Sequence, residues 1–246
     1  MNAIDSSVQL DESVKIGSFT VIEKDVELGK NVIVGNRVTI HEGTKIGSGT
    51  TIADGAVLGK PPKPAKTSTV KLDGSLPPLV IGENVTFGAN CVVYRGSIIG
   101  NDCLIADLAS VREKVQLDDM VVVGQNVVVE NSVTIGSRSK IQSNSYITAY
   151  STLEERVFIA PCVTTTNDNF MGRTEERFDQ IKGATIKKGA RIGGASIILP
   201  GVTVAEETFV AAGALLTKDT APKKVMKGFP AKELRDVPER ELLEHN

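Results

Sequence analysis

The chain has 246 residues, enough for one large domain or two small ones, and its 41% hydrophobic and 24% charged residues describe a globular protein. A formal net charge of -2 gives no reason to expect nucleic acid or an anionic membrane as a partner, and no apolar run reaches membrane-spanning length. Three cysteines without a Cys-x-x-Cys pair, and a start lacking a basic-then-apolar leader, point to reduced thiols and a cytoplasmic location.

With no Trp and 4% aromatic residues, the core has to be built from Val, Ile, Leu and Ala. From Ile4 a large apolar residue falls on every sixth position, through Leu10, Ile16, Ile22, Leu28, Val34, Ile40, Ile46 and Ile52 to Leu58. The period breaks at 60–79, which holds five prolines and, before its first acid Asp73, the lysines Lys60, Lys63, Lys66 and Lys71. Proline cannot donate to a strand ladder, so this segment leaves as a loop whose lysines could meet a phosphate. The period resumes at Ile81 and runs without a miss to Ile159, stops after Val163, and returns from Ile186 to Leu216.

All thirty of these positions are apolar; the residue four later is usually small or β-branched, and the residue one later is often Gly. A period of six fits neither a lone strand nor a helix, but it fits a chain turning a corner every six residues, the mark of a parallel β-helix. Three hexads close one triangular coil, giving about ten coils. The glycine is expected to supply the permissive backbone of the corner.

The expected organisation is all-β. It comprises N-terminal coils (1–59), a Pro/Lys-rich loop (60–80), central coils (81–163), a long loop (164–185), C-terminal coils (186–221) and a short helical tail (222–246) after a Gly-Phe-Pro-Ala-Lys turn. A loop of that length inside a compact fold tends to be functional, so 164–185 is the expected active-site loop.

This repeat resembles the left-handed parallel β-helix of the hexapeptide-repeat acyltransferases. The left-handed sense and a homotrimer are implied by the resemblance. A carbonic anhydrase built on this fold needs three His around zinc, and this chain has only His41 and His245, so no metal is expected. His41 lies fourteen hexads, nearly five coils, before Ile141, so a His base is not expected there, and His245 is in the tail.

What remains is a cluster of amides: Asn126 and Asn144, 18 residues apart on one corner, with Gln142 beside them and Asn167, Asp168 and Asn169 on the loop. Stacked corner asparagines also stabilise a β-helix without any ligand.

The stretch "KIQSNSYITAYSTLEERVFIAPCVTTTND" is similar to a segment of nucleotide-sugar N-acetyltransferases. "KGATIKKGARIGGASIILPGVTVAEETFVAAGALLTKDT" followed by "KGFPAK" is similar to their coenzyme A half, the whole match covering 81–235. The chain departs from that family at Ser143, where a second Asn is usual, in an added Asp-Asn after Thr-Asn, and in ten additional N-terminal hexads.

The resemblance implies acetyl-CoA or another acyl-CoA as cosubstrate and the amine of a nucleotide-linked amino-deoxy sugar as acceptor. Asn167 and Asp168 would be the catalytic residues, orienting the amine, with Gln142, Asn144, Asn169 and Arg173 shaping the acceptor pocket. A sugar amine is less basic than lysine, so a usable fraction is free near neutral pH and attacks the thioester without a His base. On the coenzyme side, Gly193-Gly194-Ala195 and Ala211-Ala212-Gly213 are 18 residues apart and form a wall without bulky side chains. Gly194, Ala195 and Ala212 would receive the pantetheine arm, and Lys218 and Lys232 the phosphates. Two other readings stay open: an acyltransferase for a different amine, such as a tetrahydrodipicolinate succinyltransferase, and a non-catalytic scaffold.

Overall fold

The structure is a computed structural model that describes residues 1–68, 70 and 75–246. Lys71 and Asp73 of the Pro/Lys-rich loop lie outside the described residues.

The chain is a parallel β-helix with three flat faces. Nearly every strand is two residues long, and successive strands pass from the first face to the second to the third. The first face, from Ala3–Ile4 to Leu215–Leu216, has 11 strands; the second has 10 and the third 12. Register is set by the 18-residue coil, as in Val111↔Val129 and Val123↔Ile141. It holds across both interruptions, where Leu58 pairs with Val93 and Leu153 with Ile186. The loops are therefore inserted at a corner without shifting the coils.

The hexad residues point inward and fill the prism axis. From Ile22 to Leu216 they are buried, while Ile4 and Leu10, in the first coil, are 40% and 45% exposed. The residues four later, such as Val26, Val85, Cys91 and Ala109, are buried beside them. Phe87 is the largest fully buried side chain.

The corner glycines act differently from the expectation. The left-handed backbone typically falls three residues after a hexad residue, at Asn31, Asn84, Asn126 and Asn144 among others, with φ between 54° and 62° for these four. The glycine directly after the hexad residue is instead a close-approach position. A Cβ on Gly47 would stand 2.3 Å from the Gly82 carbonyl oxygen, and one on Gly88 2.3 Å from the Asp107 amide nitrogen.

Two further expectations are corrected. The hexad period runs one step past Ile159, because Thr164–Thr165 is a strand of the first face with Thr165 fully buried. A buried threonine is invisible to an apolar count, so the loop begins at Thr166. The tail is also not an α-helix: Lys224–Gly228 and Ala231–Asp236 form a hairpin, followed by two short 3-10 turns, Glu239–Glu241 and Leu243–His245. Its first strand pairs with Phe209–Val210 and buries Val225, so the hairpin closes the end of the third face.

Candidate functional site

The corner leading from the third face to the first holds the expected amides and the expected coenzyme wall in one column. Asn126 Nδ2 donates to Asn144 Oδ1 at 2.9 Å, and Gln142 is half-buried beside them. One coil further along stand Pro161 and the exposed Cys162, with Cys162 N donating to Ser143 O at 3.1 Å.

Next come Gly194 and Ala195, then Ala212 and Gly213, joined by Ala195 N to Pro161 O at 3.0 Å and Gly213 N to Gly194 O at 2.8 Å. A Cβ on Gly213 would meet nothing within 4 Å, so this end of the corner is open. Gln142, Asn144, Gly194, Ala195 and Ala212 are thus brought together. Ala211 N donates to Met226 O at 2.8 Å, which places Lys227 and its hairpin partner Lys232 beyond the same corner. Lys218, after Leu215–Leu216, belongs to the next corner.

The long loop leaves from that next corner, between the first and second faces. Lys182 N donates to Asn167 O at 3.0 Å and closes its neck. Asn167 Nδ2 lies 3.5 Å from Ala149 O, a weak bond that leaves the amide available.

Asp168 is engaged in folding the loop: it accepts from Phe170 N at 2.8 Å, Gly172 N at 2.9 Å and the Arg177 guanidinium at 2.9 Å. The Gly172 bond above all, with Phe170 and Arg177, holds its carboxyl below the usual range against a smaller effect of burial. Asn169 and Arg173 are exposed. Within one chain the loop and the amide corner flank the first face rather than touching.

Sequence reasoning passes over a polar group on the loop's own corner. Arg112 grips the buried Glu113 at 3.0 and 3.2 Å, reaches Glu130 at 3.4 Å, and lies 5.1 Å over the Tyr94 ring. Burial, then the charge of Glu130, pushes the Tyr146 hydroxyl up. The signal for this group is the 18-residue column Tyr94, Arg112, Glu130, Thr148, Thr166, polar where a smooth corner would be small.

His41 bonds Glu23 at 3.1 Å, six strand spacings from Thr164–Thr165, or roughly 30 Å. His245 sits in the last 3-10 turn. Burial pushes the Cys91 and Cys103 thiols up to about 12 and about 11. Among the described residues no group of three His, Cys, Asp or Glu is placed to hold a metal, and no helix is long and apolar enough to cross a membrane.

Residues 7–42 and 78–113 match the family model described as bacterial transferase hexapeptide (six repeats), and 118–149 match the hexapeptide repeat of succinyl-transferase. A galactoside O-acetyltransferase of Escherichia coli is 31% identical over 93 residues, 37% of this chain and 46% of that protein. The chain spans less than half the length of the curated relatives it matches.

A UDP-N-acetylglucosamine O-acyltransferase from Moraxella catarrhalis superposes with a TM-score of 0.52 at 21% identity, covering 97% of this chain and 74% of that one. A second UDP-N-acetylglucosamine acyltransferase gives 0.50 at 21% identity, covering 95% and 71%. At this identity the likeness is one of fold. The chain thus carries hexapeptide repeats over these segments and shares its fold with the two solved acyltransferases.

Proposed function

We propose that the protein transfers an acetyl or similar acyl group from acyl-CoA to the amine of a nucleotide-linked amino-deoxy sugar, working as a homotrimer. The observation that carries this reading is the continuous corner on which the amides Gln142 and Asn144 run into the smooth, open wall of Gly194, Ala195, Ala212 and Gly213. An extended pantetheine arm fits such a wall, because its backbone groups are not covered by side chains. Lys227 and Lys232 stand at its end for the phosphates.

The amine nitrogen attacks the thioester carbonyl; the C–N bond forms, the C–S bond breaks, and the surplus proton passes to the thiolate or water. Asn167 orients the amine, with Asp168 holding the loop that carries it. Backbone N–H groups hold the developing oxyanion. Because the loop and the amide corner flank one face, a neighbouring copy supplies the loop that covers the groove. An amine acceptor suits a site whose chain places both histidines elsewhere.

Calorimetric titration with acetyl-CoA, with and without UDP- and dTDP-linked amino sugars, tests the reading. Coenzyme binding that changes when one sugar is present, followed by its turnover, is expected. Absence of coenzyme binding under every condition overturns it.

A further inference from the structure

We propose that a pocket on the corner between the second and third faces binds a nucleoside phosphate. Met120, Arg138, Lys140, Arg156, Val157 and Phe158 line a volume of about 470 Å³ there, within the range of small-molecule sites. Met120, Arg138 and Arg156 take the same corner position in three consecutive coils, linked by Arg138 N to Asp119 O at 3.0 Å and Arg156 N to Ser137 O at 2.9 Å. Lys140 and Phe158 are paired outward residues on the third face.

Among the described residues none of Arg138, Lys140 and Arg156 has a carboxylate within 4.0 Å. Two other cations of this corner are paired, Lys187 with Glu154 at 2.7 Å and Lys188 with Glu155 at 2.5 Å. Glu155, whose carboxylate feels both arginines, is held first by Lys188. Three cations without an ion pair on two adjacent coils repel one another, and an anion relieves that repulsion.

Phe158 and Met120 are 39% and 44% exposed beside them. Guanidinium forks match phosphate, and an exposed ring offers a stacking face for a base. The corner position itself is left-handed, with φ of 61°, 61° and 56° at Met120, Arg138 and Arg156. The same corner position holds Asn31, Gly49, Asn84, Asp102 and Gly189, residues that tolerate it more readily, and also Glu207 with φ of 53°. The strand Lys140–Ile141 leads from this pocket across the third face to Gln142, so one ligand could reach both.

The shared chemistry is that of a nucleoside phosphate, from the acceptor's nucleotide or from the nucleotide end of the coenzyme; for the first source the proposal rests on the nucleotide-sugar reading. Calorimetry compares UDP, dTDP, coenzyme A and inorganic pyrophosphate on the wild type, the double variant Arg138→Asn/Arg156→Asn and Phe158→Thr. Asparagine keeps the left-handed corner, so the double variant is expected to fold.

The expected result is that the double variant weakens the nucleoside diphosphates roughly tenfold or more, while Phe158→Thr weakens them but not pyrophosphate. Loss confined to coenzyme A supports the pocket and assigns the coenzyme as its source. Unchanged binding of all these ligands in the double variant overturns the pocket, and leaves the acyl-transfer reading standing if nucleotide-sugar turnover persists. A wild type that binds nucleoside diphosphates through these arginines yet acylates no nucleotide sugar upholds the pocket and overturns that reading.

Discussion

Asn126 Nδ2 donates to Asn144 Oδ1 across one coil step, at 2.9 Å, and both residues hold left-handed backbone, with φ of 54° and 62°. The pair therefore has a structural duty that any catalytic duty of Asn144 must share. Asn144→Ala is expected to cost ~1–2 kcal/mol, because alanine disfavours that backbone. Asn144→Gly keeps the corner, so its stability should stay near wild type in denaturant melts. If Asn144 also shapes the acceptor pocket, the glycine variant loses turnover; full activity in that variant would leave it a corner residue only.

Asn167→Ala should lower kcat by about 10²-fold, the scale of a misplaced reactant, with acetyl-CoA affinity unchanged. Steady-state kinetics beside calorimetry reads both quantities. A loss of coenzyme affinity instead would move Asn167 out of the acceptor role.

Asp168 ties the loop through Phe170, Gly172 and Arg177. Asp168→Ala should hasten trypsin cleavage after Arg173 or Arg177 while the coils stay folded by circular dichroism. Since its folded pKa is lowered, its contribution is present above the ordinary carboxylate value of about 4 and is lost as pH falls through the lowered one. The Gly172 amide resonance should report that loss.

Cys162 is the exposed thiol, on the corner between Asn144 and Ala195, while burial raises Cys91 to about 12 and Cys103 to about 11. One thiol should react with a disulfide reagent in the native protein, and a bulky adduct there should block acetyl-CoA. Cys162→Gly, which keeps the left-handed corner, should bind coenzyme and resist the block.

Phe87 is fully buried on the prism axis. Phe87→Ala should cost about 3–5 kcal/mol, read as a lower denaturant midpoint, since neighbouring coils are fixed by their ladders and cannot close the cavity.

The order of residues is enough to dictate the coil, because an inward side chain every sixth residue is a local rule repeated along the chain. It also dictates which residues share a corner, since an 18-residue spacing stacks them, as with Asn126 over Asn144 and Gly194 over Ala212. How those residues are occupied is settled by the folded coils instead. Asp168 reads in the sequence as a residue that orients the acceptor amine, while its partners in the structure come from the fold of its own loop. Thr165 reads as the start of a loop, yet it is buried because strands on both sides pair with its own. The tail reads as helical from its charges, yet it is a hairpin because the last third-face strand offers an open edge to Val225. Periodicity is written in the order of residues; hydrogen-bond partners are set by which segments the folded coils bring side by side.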